Sequence, residues 1–406
     1  MALPIILISG LFIRALTLPF GTHAVDMNTW KFWSAQISSL GFSSFFDKVW
    51  SDYLPLHFYI LYLIGKIKSF FYFIPEDYVF KLPSILADIL VAFLIYRITL
   101  KISSKKWALI ASAIYIFNPA VFFNSSMWGQ VDGIGNLLIF GSLFFLIEKK
   151  LTPSAIFAGL SFTFKPIYLF TLPIFLVYLL RNSSFKASIR QISLFLLINI
   201  VTIWFVALPF IKKGASLITE PFMVIFNQYQ RSIIQYPYSS LNAYNFWHLI
   251  DGWWKSDLRL FFGIQIKLWS LIIFSILVFL IVYYLWKKLK REASLNSNVY
   301  LVTFCFFALF LFLYTFATRA HERHLLSVIP FLAVLATFNR SFIIMYIILS
   351  LIYVSNLYSA LIWLNNKNIY PYPNSINLFL SFVVVAISFY TIYILFRDLR
   401  KGSNVT

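Results

Sequence analysis

"LHFYILYLIGKIKSFFYF", residues 56–73, decides the topology of this 406-residue chain. Its apolar length nearly reaches the roughly 17–25 residues that a transmembrane helix needs, but Lys66 and Lys68 interrupt it. If the stretch crosses the bilayer, every later loop changes side. If it lies in the interface, the basic loops "RITLKISSKK" (97–106), "EKK" (148–150), "RNSSFKASIR" (181–190) and "WKKLKRE" (286–292) share one side with both termini. Loops rich in Lys and Arg stay in the cytoplasm. The expected arrangement therefore has an amphipathic juxtamembrane helix at 56–73 and both termini cytoplasmic.

Composition sets the wider frame. Hydrophobic residues make up 61% of the chain and charged residues 12%, against about 45–50% and about 25% in soluble domains. The expectation is an all-α polytopic membrane protein with about twelve transmembrane helices, at 2–20, 79–99, 105–123, 133–147, 153–164, 166–180, 192–210, 264–286, 299–317, 325–338, 342–363 and 376–396. Residues 1–406 read as one integral membrane domain. Its first half, 1–211, carries the outer loop 21–78; its second half, 212–406, carries the outer loop 211–263 and a charged loop at 318–324. The short segments 153–164 and 325–338 read as broken helices beside a cavity. The net charge of +19 fits anchoring and anionic lipid, with no nucleic-acid partner. The single cysteine, Cys305, cannot form an internal disulfide. The N-terminal "MALPIILISGLFIRALTLPF" has no charged region before its apolar run and no clear cleavage site, and reads as a retained span.

With this topology all five histidines fall on the outer side, as do Asp26, Asp52, Asp132 and Glu322. Anchoring explains basic inner loops; it does not explain the gathering of His and carboxylates on the other face. Asp26 precedes a helical pattern and Asp52 precedes Pro55, so each could be a helix cap or part of a site. In "NPAVFFNSSMWGQVDGIGNLLIF" (118–140), Trp128, Gly129, Gln130 and Asp132 occupy a gap between apolar runs. Lys165, between two short apolar segments, is either a snorkelling lysine or a cation facing an anionic substrate. "YPYSSLNAYNFWHL" mixes aromatic faces with amide and hydroxyl groups, which suits a sugar ring and a wet interface equally. In "TFATRAHERHLLSVIP", Arg319, His321, Glu322, Arg323 and His324 crowd together, either closing on themselves through ion pairs or binding phosphate. His321 and His324 alone make a weak metal pair, and no nucleotide-loop, zinc-protease or serine-hydrolase motif is present.

Taken in order, Asp26 in a first outer loop, "DYLPL", "WGQVD", "FKP", "NAYNFW" and "HER" resemble the GT-C glycosyltransferases over about residues 20 to 335. The pattern is similar to the prokaryotic relatives of GPI mannosyltransferase II and to the dolichyl-phosphate-glucose glucosyltransferases. Leu54 departs from their D-Y-P-P-L motif. The resemblance implies a GT-C-like bundle and inverting transfer of a hexose, mannose first and glucose next. The donor would be a polyprenyl-phosphate sugar, used on the outer face of a cell membrane or the lumenal face of the endoplasmic reticulum. The acceptor would be a hydroxyl of a glycan, lipid or protein. The resemblance further implies that Asp26 is the catalytic base. Asp52, Tyr53, Trp128, Gln130, Asp132, Lys165, Asn242, Tyr244, Asn245, Trp247, His321, Glu322 and Arg323 would bind substrate. Arg323, His321, Lys165 and Arg14 are candidate cations for the leaving phosphate, and no cofactor or divalent metal is expected. The alternatives are a lipid-linked sugar flippase or transporter, which would favour inverted repeats and midplane polar sites, and an outer-face glycan polymerase or ligase.

Overall fold

A computed structural model describes residues 2–290, 294–366, 371 and 373–400. Arg291 and Glu292 of the basic loop 286–292 lie outside the described residues. The chain is helical apart from a small antiparallel hairpin, Leu260–Phe261 against Ile264–Gln265, and scattered bridges.

Among the described residues six helices are long and apolar enough to cross a membrane: Glu76–Ile102, Phe185–Phe210, Ile266–Lys288, Leu295–Phe316, Arg340–Asn365 and Asn374–Arg400. The Lys105–Ile116 and Pro119–Trp128 pair, bent by 43°, makes a seventh if counted as one span. The expected count of about twelve is not reached by length. Ala2–Thr17 and Asp132–Ile147 have 16 residues each and Leu151–Phe162 has 12. At a rise of ~1.5 Å per residue even the longer ones fall short of a hydrocarbon core of ~30 Å. The expected span 325–338 is instead two seven-residue pieces, the 3-10 helix Glu322–Val328 and the α-helix Ile329–Leu335. Every residue of the second piece is buried, and Leu295–Phe316 beside it is almost wholly enclosed.

The stretch that opened the question forms the helix Pro55–Phe70, with Pro55 in its first turn, where a missing N–H costs nothing. It is one-sided: His57, Phe58, Leu61 and Ile64 are buried, while Leu63 is exposed. The buried face packs on Ala24–Leu40, where Ser34 Oγ donates to the Leu61 carbonyl at 2.8 Å. By length and composition it is not among the membrane-spanning candidates of the described residues.

Two features set the geometry of the polar residues. Arg14, fully buried in Ala2–Thr17, donates to Asp88 Oδ2 at 3.0 and 3.1 Å and to the carbonyls of Gly10 and Ile116. Ser125 Oγ donates to the same Asp88 oxygen at 2.6 Å. The pair ties the first helix to Glu76–Ile102. The second feature is the bend. Pro119 has no N–H to continue the preceding helix, and Asn118 Oδ1 caps the new start by accepting from Ala120 N. The last turn widens into a π-helix, Phe123–Trp128, a form often found at functional sites. Gly129 ends it at φ 87°. A Cβ there would also meet Met27 and Lys81 at 2.9 and 3.2 Å, so glycine serves both the turn and the close approach.

Candidate active site

Asp26 lies in the first turn of Ala24–Leu40, whose N-cap is His23 without a side-chain cap bond. The N-cap of Pro55–Phe70 is Leu54. Neither Asp26 nor Asp52 therefore caps its helix. The Asp26 carboxylate is held by the Gly129 turn instead: Trp128 Nε1 and Gln130 Nε2 both donate to Oδ2, at 2.9 and 2.7 Å. Ser84 Oγ fixes the Gln130 carbonyl at 2.6 Å, and His23 packs edge-on against Trp128. Both bonds fall on one oxygen, so Oδ1 has no hydrogen-bond partner among the described residues. Trp128 and Gln130, expected to contact sugar, here orient a carboxylate.

A cavity of about 550 Å³ lies within electrostatic reach of Asp26. Asp52, Tyr53, Lys165, His321, Arg323 and His324 line it, as do Leu169, Phe170, Leu268, Leu271 and Phe274. Its polar part is deep: Lys165 and Arg323 side chains are only 10% and 16% exposed. Its apolar part opens between the 3-10 helix Pro166–Thr171 and Ile266–Lys288, where Leu169, Phe170, Leu268 and Leu271 are exposed. Behind the cations stands buried Asp132. Lys165 Nζ donates to its Oδ1 at 2.6 Å, and Arg323 Nε lies 3.8 Å from its Oδ2. Lys165 is thus drawn inward and does not snorkel. Arg323 also faces Glu322 at 3.4 Å. The charged loop closes partly on itself and partly onto a carboxylate from another helix.

Burial sets the protonation of this cluster. It pushes the Glu322 carboxyl up to about 7 although Arg323 opposes it, and it raises Asp52 against the pull of Arg323 and Lys165. It pushes His324 down to about 3, with Lys165 and Arg323 adding to the effect, and holds His321 well below the usual range. Burial lowers Lys165 although Asp132 opposes it, whereas Arg323, against the pull of burial, is raised by Tyr53, Glu322 and Asp132 and is the firmer cation. Asp26 does not line the cavity, but its charge reaches Asp52, Glu322 and Arg323.

Asn242, Tyr244, Asn245 and Trp247 take another place. All four are buried and none lines the cavity. Asn242 Oδ1 accepts from Trp254 Nε1, Tyr244 OH donates to Asn377 Oδ1, Asn245 Oδ1 caps a short helix at His248 N, and Trp247 Nε1 donates to the Phe316 carbonyl. Their loop grips the charged loop by its backbone: Leu241 N donates to the Ala320 carbonyl and Arg319 N to the Tyr238 carbonyl, both at 3.0 Å. Arg319, at φ 63°, is held by Asp257 at 2.7 Å. Asn242, Tyr244, Asn245 and Trp247 thus shape the site without touching the cavity, whereas Arg319 and Ala320 line it. Arg14, a candidate cation by sequence, is committed to Asp88. His57 was missed: it is buried against Tyr53, Trp30 and Phe164, with burial pushing it down to about 3 and neither ring nitrogen hydrogen-bonded to the protein. The sequence placed it with the other histidines on the outer side but gave it no role.

Fold and site together define an all-α protein with several membrane-spanning-capable helices, in which carboxylates and cations meet at the buried end of an apolar cavity. No family model matches the chain. It is similar to GPI mannosyltransferase 1 of Candida albicans, at 30% identity over 35% of this chain and 39% of that protein. It is likewise similar to GPI mannosyltransferase 1 of Saccharomyces cerevisiae, at 30% identity over 28% of each chain. The chain thus spans well under half the length of the curated relatives it matches. The likeness is to mannosyltransferases, whereas the motif order resembled GPI mannosyltransferase II relatives and glucosyltransferases as well.

Proposed function

We propose that this protein is an inverting mannosyltransferase that uses a polyprenyl-phosphate mannose donor on the outer face of its membrane. The observation that carries the reading is the shape of the 550 Å³ cavity, with Lys165 and Arg323 deep inside and exposed apolar walls between Pro166–Thr171 and Ile266–Lys288. A lipid-linked sugar phosphate has the matching form, an anionic head on an apolar tail. Raised Asp52 and Glu322 leave the cations only partly neutralised, and so receptive to a phosphodiester.

In the reaction Asp26 takes the proton of the acceptor hydroxyl, and the oxygen attacks the anomeric carbon from the face opposite the phosphate. The bond from that carbon to the phosphate oxygen breaks, and its electron pair leaves with the polyprenyl phosphate. Arg323 and Lys165 stabilise the growing charge on the phosphate. Trp128 and Gln130 hold Oδ2 so that Oδ1 faces the acceptor. Asp132 keeps both cations in place. No step calls for a metal.

The test is turnover of polyprenyl-phosphate mannose by purified protein with a panel of acceptors. Arg323→Ala should abolish use of the donor, and Asp26→Asn should slow transfer by about 10²–10⁴-fold, the range of general-base catalysis. Wild-type turnover by Asp26→Asn refutes the base. Movement of the lipid-linked sugar across vesicles without its consumption refutes the enzyme in favour of a flippase.

A further inference from the structure

A second groove, of about 420 Å³, lies outside the chemistry described so far, lined by Trp50, Asn227, Gln230, Arg231, Ile234 and Gln235. Its volume is within the ~300–1,000 Å³ of small-molecule sites. The helix Glu220–Ile234 separates it from the first cavity. Tyr229, Ser232 and Ile233 face the cavity, and Asn227, Gln230, Arg231 and Ile234 face the groove. The opposite wall is equally shared, because Trp50 lies two residues before Asp52, which lines the cavity with Tyr53. Hydrogen bonds hold this partition in place. Gln228 Nε2 donates to the Tyr53 carbonyl at 3.2 Å, and Tyr229 OH to the Phe162 carbonyl at 2.8 Å.

The groove's chemistry differs from that of the cavity. Trp50 is 55% exposed and presents an aromatic surface, against which the C–H face of a pyranose can lie. Asn227, Gln230 and Gln235 bring planar amides that both donate and accept, matching the paired hydroxyls along a sugar edge. Arg231 adds a fork of donors, and no carboxylate lines the groove. A lipid tail would leave these amides without partners and Arg231 with the Phe46 carbonyl, at 3.5 Å.

We propose that this groove binds the part of the acceptor glycan that lies beyond the hydroxyl being mannosylated. The proposal rests on the glycosyl-transfer reading and adds to it an extended, multi-sugar acceptor engaged across one helix from the donor. Binding remote from the reacting centre selects the acceptor and holds it for reaction.

The test uses the full chain in nanodiscs, with free mannose and linear mannotetraose as probes, followed by saturation-transfer NMR and titration. Mannotetraose should bind wild type and bind Trp50→Ala about tenfold more weakly, the scale of one lost aromatic anchor. Gln230→Ala should weaken it in the same direction. Trp50 and Gln230 lie at the surface, and an unchanged melting curve would show that the variants are folded. Equal affinity in wild type and Trp50→Ala, or no mannotetraose binding by wild type, overturns the groove. Consumption of polyprenyl-phosphate mannose is followed in the same preparations. Its absence in wild type refutes the glycosyl-transfer reading, whereas binding indifferent to Trp50 refutes the groove alone.

Discussion

Replacing Asp132 by Asn keeps the shape of the side chain and removes one charge from a buried cluster. Lys165 Nζ lies 2.6 Å from one of its oxygens and Arg323 Nε 3.8 Å from the other. At an effective dielectric constant of ~20 these separations correspond to about 6 and about 4 kcal/mol of gross attraction. Desolvation offsets most of that gain while the cluster is whole. Once the carboxylate is gone, Lys165 keeps its desolvation with Asp52 alone to offset it, and Arg323 retains Glu322 at 3.4 Å and the charge of Asp26. Breaking a buried pair in this way costs about 3–5 kcal/mol. The assay is reversible unfolding in mixed micelles, comparing wild type, Asp132→Asn, Lys165→Met and the double variant. Asp132→Asn is expected to lose about 3–5 kcal/mol, and the double variant to recover to within about 1 kcal/mol of wild type, because the stranded cation has been removed. If Asp132→Asn unfolds within about 0.5 kcal/mol of wild type, as a surface substitution would, or the two single losses simply add, the carboxylate is not what holds the cations.

Three further outcomes are expected. Burial raises Glu322 above its unfolded value, so the folded state holds a proton that the unfolded state gives up; its contribution to stability is full below about pH 4.5 and is lost as pH rises through about 7, a slope that pH-dependent melting should show in wild type and not in Glu322→Gln. Gln130→Ala removes one of the two donors on Asp26 Oδ2; turnover should fall about 10–100-fold, the worth of a hydrogen bond to a charged group, while donor affinity stays the same, and a loss of donor affinity instead would make Gln130 a sugar contact. In a Cys305→Ala background, a cysteine at exposed Tyr72 should react with an impermeant reagent from outside and one at exposed Lys150 only from inside; the reverse pattern would overturn the orientation.

The long apolar helices were legible because hydropathy is a local property. The association of Asp26 with Trp128, and of Asp132 with Lys165 and Arg323, was foreshadowed by the crowding of rare polar residues into a few gaps of an apolar chain. What periodicity does not carry is partnership. Arg14 looked like a free cation because its counter-charge, Asp88, lies 74 residues further on. Trp128 and Gln130 looked like sugar contacts because nothing local shows that their N–H groups point at a carboxylate more than a hundred residues earlier. "NAYNFW" looked like a ligand-binding strip because amides and aromatics serve scaffolding and sugar equally. Only the fold shows that they face inward. The short helices were legible as apolar runs but not as partial crossings, since hydropathy reports composition, whereas the end of a helix depends on caps, prolines and neighbours.

The Arg14–Asp88 pair also imposes an order in time. Arg14 stands in the last turn of its helix and is synthesised well before Asp88, the carboxylate that matches it. Each charge is matched only when Glu76–Ile102 meets the first helix. A chain truncated before residue 88 is therefore expected to hold Arg14 without its carboxylate.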